Sequence, residues 1–163
     1  MDFYHGVVLD YLRADRAIFL NTECCIQLKK AVNPDKSGPH WYCDAVACDF
    51  RTPCIYLCEF SYSRQLGSLL KRLKQWNDNW QDLRCALTRD CCITADWSAR
   101  PWLFVPVHLV ELLVSRLQQM QDSASTPKIT TLEMVQPWKY KSWDRQGEDC
   151  KEKENAGIPP EMR

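Results

Sequence analysis

No apolar run in this chain approaches the length of a membrane span. Its opening residues, MDFYHGVVLDYLRADR, carry acids where a secretory signal would carry bases. Together these absences predict a soluble protein of the cytoplasm that makes no membrane contact. Net charge is missing as well, since 21 Lys and Arg balance 21 Asp and Glu. The chain as a whole has no field to draw nucleic acid, and any such attraction must come from a local patch. There is no Gly-rich phosphate loop, nucleophile elbow or Ser-His-Asp order, so nucleotide hydrolysis and acyl transfer find no support. C-x-x-C is absent despite ten cysteines, which argues against a zinc knuckle or a thioredoxin-type pair. Without a secretory signal a disulfide framework is not expected either. Most thiols are read as small buried hydrophobes. The alternative is a zinc site drawn from Cys43, Cys48, Cys54 and Cys58, with Cys48 and Cys54 flanking one turn.

What is present centres on His40 to Ser63, HWYCDAVACDFRTPCIYLCEFSYS. It reads as two short apolar strands joined by a turn at Arg51-Thr52-Pro53, and each strand carries one acid, Asp44 and Glu59. A carboxylate inside such a run is costly unless it is paired, protonated or bound to a metal. Two of them on adjacent strands point to a cation site. Directly opposed residues of an antiparallel pair share a face. Asp44 and Glu59 are therefore opposed if 49 pairs with 54, or 50 with 53, and both loop lengths are common in hairpins. The competing reading is that one acid lies on an edge strand facing solvent.

Around that hairpin the periodicity predicts a helix over 2–15, a strand over 17–28 interrupted by Glu23, and a turn-rich loop over 29–39. Strands follow at 40–50 and 54–62, apolar on both faces, so helices should cover the sheet on at least one side. Leu66, Leu69, Leu70, Leu73, Trp76, Trp80, Leu83 and Leu87 step by three and four, predicting one long helix to about Arg89. Its tryptophans lie on the leucine stripe and so belong to the core rather than to base stacking. A short strand, 100–106, and a helix, 107–120, complete the pattern, with Pro106 opening the helix. The length suits one domain, 1–121. Residues 122–145 read as a linker with an edge strand near 128–135. They also hold the aromatics Trp138, Tyr140 and Trp143, which either dock a partner or cover the sheet edge. A charged tail, 146–163, is expected to be disordered.

The order αβββαβα, with Asp44 on the second strand and Glu59-Phe60-Ser61 on the third, resembles the PD-(D/E)xK nuclease superfamily over residues 2–120. The segment also looks like a family of small bacterial proteins. The resemblance implies a restriction-endonuclease-like α/β core with a mixed sheet of four to five strands. It implies a nuclease that hydrolyses phosphodiester bonds, in DNA rather than RNA, and works as a homodimer or with a protein partner. Asp44 and Glu59 would hold Mg²⁺ or Mn²⁺, hard cations that suit carboxylate oxygen and keep several waters. Asp10 on the first helix would add an outer carboxylate, with Glu23 as a weaker substitute. Ser61 stands where the superfamily has a lysine, and a hydroxyl supplies no positive charge. Lys71, Arg64 or Lys74 of the following helix would then provide it. The alternative is an inactive nuclease-like module that binds protein or nucleic acid.

Overall fold

A computed structural model describes residues 3–28, 40–120 and 124–140. The loop expected over 29–39, Trp143 and the tail over 146–163 lie outside the described residues. The chain runs α1 (Phe3–Arg13), β1 (Ile18–Gln27), β2 (His40–Asp49), β3 (Cys54–Phe60), α2 (Gly67–Asp78), α3 (Trp80–Asp90) and β4 (Ser98–Val105). A 3₁₀ turn (Val107–Leu109), α4 (Val110–Gln119) and β5 (Lys128–Thr131) follow. This is an α/β protein with one five-stranded mixed sheet in the order β1-β2-β3-β4-β5. The first three strands form an antiparallel meander, while β4 lies parallel to β3 and β5 parallel to β4.

Alternation along β3 builds two cores. Ile55 and Leu57 face a layer that contains Leu69, Leu73 and Trp76 of α2, Leu83 and Leu87 of α3, and Leu113 of α4. Cys54, Tyr56 and Cys58 face the other side, against Val8, Leu9, Tyr11 and Leu12 of α1. Leu132 and Val135, just beyond β5, are buried in this second core. Tyr140 packs edge-on to Tyr11 with ring centroids 5.0 Å apart, so it covers the protein's own surface, whereas Trp138 is exposed. Both faces of the sheet are covered, as its apolar central strand requires.

The long helix expected to reach Arg89 is in fact two. Asn79 leaves the helical region at φ −128°, ψ 30°, and its side-chain amide donates to the Gln75 carbonyl at 3.0 Å. A short polar side chain that competes for backbone groups ends a helix that a leucine stripe alone would continue. Pro106 precedes a 3₁₀ turn rather than the α-helix itself, which starts at Val110.

β1 and β2 change faces partway along. Ile18 and Leu20 pack on the α1 side, but Cys24 and Ile26 pack on the other. On β2 the same exchange separates Trp41 and Cys43 from Ala45 and Ala47. All four β1 residues are even-numbered and all four β2 residues odd, so regular pleating would keep each set on one face. The exchange centres on Glu23, whose φ is 52°, between the register pairs Thr22–Ala45 and Cys24–Cys43. Asp44 lies at this crossover.

Candidate functional site

The β2–β3 ladder pairs Asp49 with Cys54 and continues to Ala45–Cys58. This is the four-residue loop of the two considered, and the ladder ends one residue short of Asp44 and Glu59. Beyond Cys58 the bonding partner changes in kind: an Asp44 carboxylate oxygen accepts the Phe60 backbone N–H at 2.7 Å. The acid thereby takes a donor at the end of β3 and stays only partly exposed. Ser61 follows, buried, with its N–H donating to the Phe104 carbonyl at 2.9 Å. The site sits at the carboxyl ends of the parallel strands β3 and β4, where open α/β sheets commonly place their ligands.

Glu59 is 4 % exposed and points to the α2 side. Both its oxygens accept from Arg72 Nη1, each at 2.7 Å. Burial, followed by repulsion from Asp44, pushes the Glu59 pKa up to about 8, while the hydrogen bonds from Arg72 oppose the rise. Two acids in one desolvated place disfavour the charged form of one of them. A cation added beside them would relieve that repulsion, and oxygen donors suit a hard divalent ion. Asp44 and Glu59 therefore fit Mg²⁺ or Mn²⁺ in kind, with Arg72 as a competitor for the Glu59 oxygens. Among the described residues no group of three or more His, Cys, Asp or Glu converges as a ready ligand set.

The remaining candidates fall elsewhere. Asp10 is 71 % exposed and faces Arg13 at 3.7 Å. Glu23 is exposed although its register position lies opposite Asp44. Lys71, Arg64 and Lys74 are all exposed, and Lys74 pairs with Asp78 at 2.7 Å. The cation that reaches the acids is Arg72. Helical spacing contained that signal, because 72 lies three residues after buried Leu69 and four before buried Trp76. The residue that α1 brings to Asp44 is His5, with Nε2 3.9 Å from Oδ1. Its ring meets Phe60 edge-on at 4.8 Å. His5 stands three and seven residues before buried Val8 and Leu12, on the inner stripe, whereas Asp10 is five positions further and turned away from it.

Cys48 and Cys54 flank the turn but lie on opposite faces of the sheet, so the hairpin cysteines do not converge. Cys43, Cys54 and Cys58 are buried. One acid without a sequence signal is Asp15, which is buried and paired with Arg51 of the β2–β3 turn. It also accepts the Ala17 N–H at 3.0 Å, so it braces the α1–β1 corner against that turn.

No family model matches this chain, and no curated protein matches its sequence. Among solved structures it is similar to an XisH family protein from Nostoc punctiforme PCC 73102, at 14 % identity and a TM-score of 0.47. That similarity covers 83 % of this chain and 95 % of the other. No helix among the described residues is long and apolar enough to cross a membrane.

Proposed function

We propose that this protein is a divalent-metal-dependent phosphodiesterase acting on nucleic acid, with DNA as the expected substrate. The observation that carries the reading is a buried acid beside a second one at the sheet end, Glu59 being driven towards its protonated form by burial and then by repulsion from Asp44. Asp44 and Glu59 would hold Mg²⁺ or Mn²⁺. When bound, such an ion supplies an activated water and neutralises charge on the scissile phosphate. The chain's own residues do the rest. Asp44 is held by the Phe60 N–H, so its orientation does not depend on a bound ion. Arg72 supplies the positive charge that Ser61 lacks, and a planar guanidinium serves either a carboxylate or a phosphate oxygen. Lys71, exposed beside it, draws the nucleic-acid backbone towards the site, and the Ser61 hydroxyl is left a hydrogen-bonding part. Glu23, whose register position lies opposite Asp44, is left as the outer carboxylate, and Asp10, turned to Arg13, is not. A homodimer would bring two such sites to one duplex.

The second reading is an inactive nuclease-like module that binds protein or nucleic acid. Its specific support is Arg72, which already compensates Glu59 without any ion. Thermal melting with Mn²⁺ and Mg²⁺ separates the two, because a ligand that binds only the folded state raises the melting point with occupancy. The expected result is stabilisation of the wild type by millimolar Mn²⁺ that is lost in Asp44→Asn/Glu59→Gln, followed by metal-dependent cleavage of a DNA duplex. A double mutant that is simply more stable, with no response to metal in either protein, favours the inactive module.

A further inference from the structure

On the α2–α3 side of the sheet, away from the acids, four cysteines line one cavity of about 390 Å³: Cys24, Cys25, Cys48 and Cys91. Cys48 comes from β2, and Cys91 caps α3, its N–H donating to the Leu87 carbonyl at 2.9 Å. The end of α3 is held there, since Arg89 donates to the Gln27 carbonyl of β1 at 2.8 Å. Within this frame Cys48 and Cys91 line the same cavity and pack on the same core, and each thiol is the chief influence on how the other ionises. The neighbouring Cys48 thiol draws the Cys91 pKa down to about 7, against burial and the adjacent Asp90 carboxylate. Cys91 in turn, with burial, raises Cys48 well above the ordinary thiol range. Two half-buried thiols thus share one cavity, and the pair gives up its first proton more readily than a lone thiol, with Cys91 the one drawn down.

We propose that Cys48 and Cys91 form a peroxide-driven, reversible dithiol–disulfide pair that staples the end of α3 to β2. The Cys91 thiolate attacks a hydroperoxide oxygen, the O–O bond breaks, and a sulfenic acid forms as hydroxide leaves. The Cys48 sulfur then attacks the Cys91 sulfur, the S–O bond breaks, and water leaves with the Cys48 proton. Each sulfur is oxidised by one electron, and the peroxide takes up both. The other neighbouring pair, Cys24 and Cys43, is less open to this chemistry. Cys43 is buried, and its thiol also donates to backbone carbonyls of Ala45 at 3.5 Å and Cys24 at 3.9 Å. Cys54 and Cys58 are buried on the opposite face.

The test treats the full chain with a modest excess of hydrogen peroxide, blocks the remaining thiols and maps peptides without reduction. The expected product has lost two hydrogens, links Cys48 to Cys91, melts several degrees higher, and returns to the starting protein with dithiothreitol. In Cys48→Ser the sulfenic acid has no resolving thiol, so a dimedone adduct should accumulate on Cys91 and exceed the wild-type level several-fold. Linkage through Cys24–Cys43, or peroxide consumption with Cys91 still reduced, overturns the proposal. So does direct passage of wild-type Cys91 to sulfinic acid. Mapping the wild type decides the matter even if a variant folds poorly.

Discussion

Arg72 Nη1 lies 2.7 Å from both oxygens of Glu59, so one donor atom on α2 serves both oxygens of an almost fully buried acid on β3. The two residues are the hinge between a structural and a chemical use of this sheet end. As an ion pair they tie a helix to a strand. Under the proposed function the acid would serve a cation and the guanidinium a phosphate, whereas in the structure each answers the other.

Arg72→Met should cost about 1–3 kcal/mol, the usual loss when a buried charged group is left without its partner. The value belongs at the low end because Arg72 is itself 34 % exposed. The loss should be level below about pH 8 and grow above it, where wild-type Glu59 ionises beside Arg72 and the variant's Glu59 must keep its proton or ionise without a counter-charge. Urea unfolding at several pH values measures it; a cost that is flat with pH would mean that Arg72 acts only through packing.

Glu59 should also make wild-type stability fall with pH. Its proton is retained in the folded chain to about pH 8, against 4.5 for the ordinary group. Between those values the folded state binds more protons than the unfolded one, so this group's contribution is complete below 4.5 and is lost as pH rises towards 8. The slope cannot exceed about 1.4 kcal/mol per pH unit for one proton. Relative to Glu59→Gln, the wild type should lose stability across that window and stay level above it. A saturating divalent ion should flatten the curve by favouring the carboxylate.

Glu23 sits at φ 52°, where a Cβ is crowded and glycine is not. Glu23→Gly should therefore keep the fold and gain up to about 1 kcal/mol. The same variant reports on the carboxylate. If Glu23 helps to hold a cation beside Asp44, the melting-point rise given by Mn²⁺ shrinks in the variant. An unchanged rise removes Glu23 from the site.

Asp15→Ala should lower stability by about 2 kcal/mol, since Asp15 is buried and answers both Arg51 and the Ala17 N–H. The midpoint in urea should fall with an unchanged slope. Activity per folded molecule should not change, because no described contact joins Asp15 to Asp44 or Glu59.

The order of the strands and the pairing of Asp49 with Cys54 across a four-residue loop were legible in the sequence. Both follow from alternation and loop length, quantities that near neighbours along the chain dictate. The two cores were legible for the same reason, since Ile55 and Leu57 alternate with Tyr56 and Cys58. The break at Asn79 was not, because the leucine stripe runs on through it, and a side chain competing for one carbonyl leaves that spacing unchanged.

By itself, then, the sequence determined an α/β sheet with helices against it and one acid on each of two neighbouring strands. Tertiary structure alone decided what answers those acids. Arg72 rather than Lys71 reaches Glu59, and His5 rather than Asp10 reaches Asp44, because helix rotation and depth set which long side chain meets a strand. Tertiary structure alone also brought Cys91 to Cys48 from a distant helix end. Contacts between elements depend on how whole faces pack, and no local period records that.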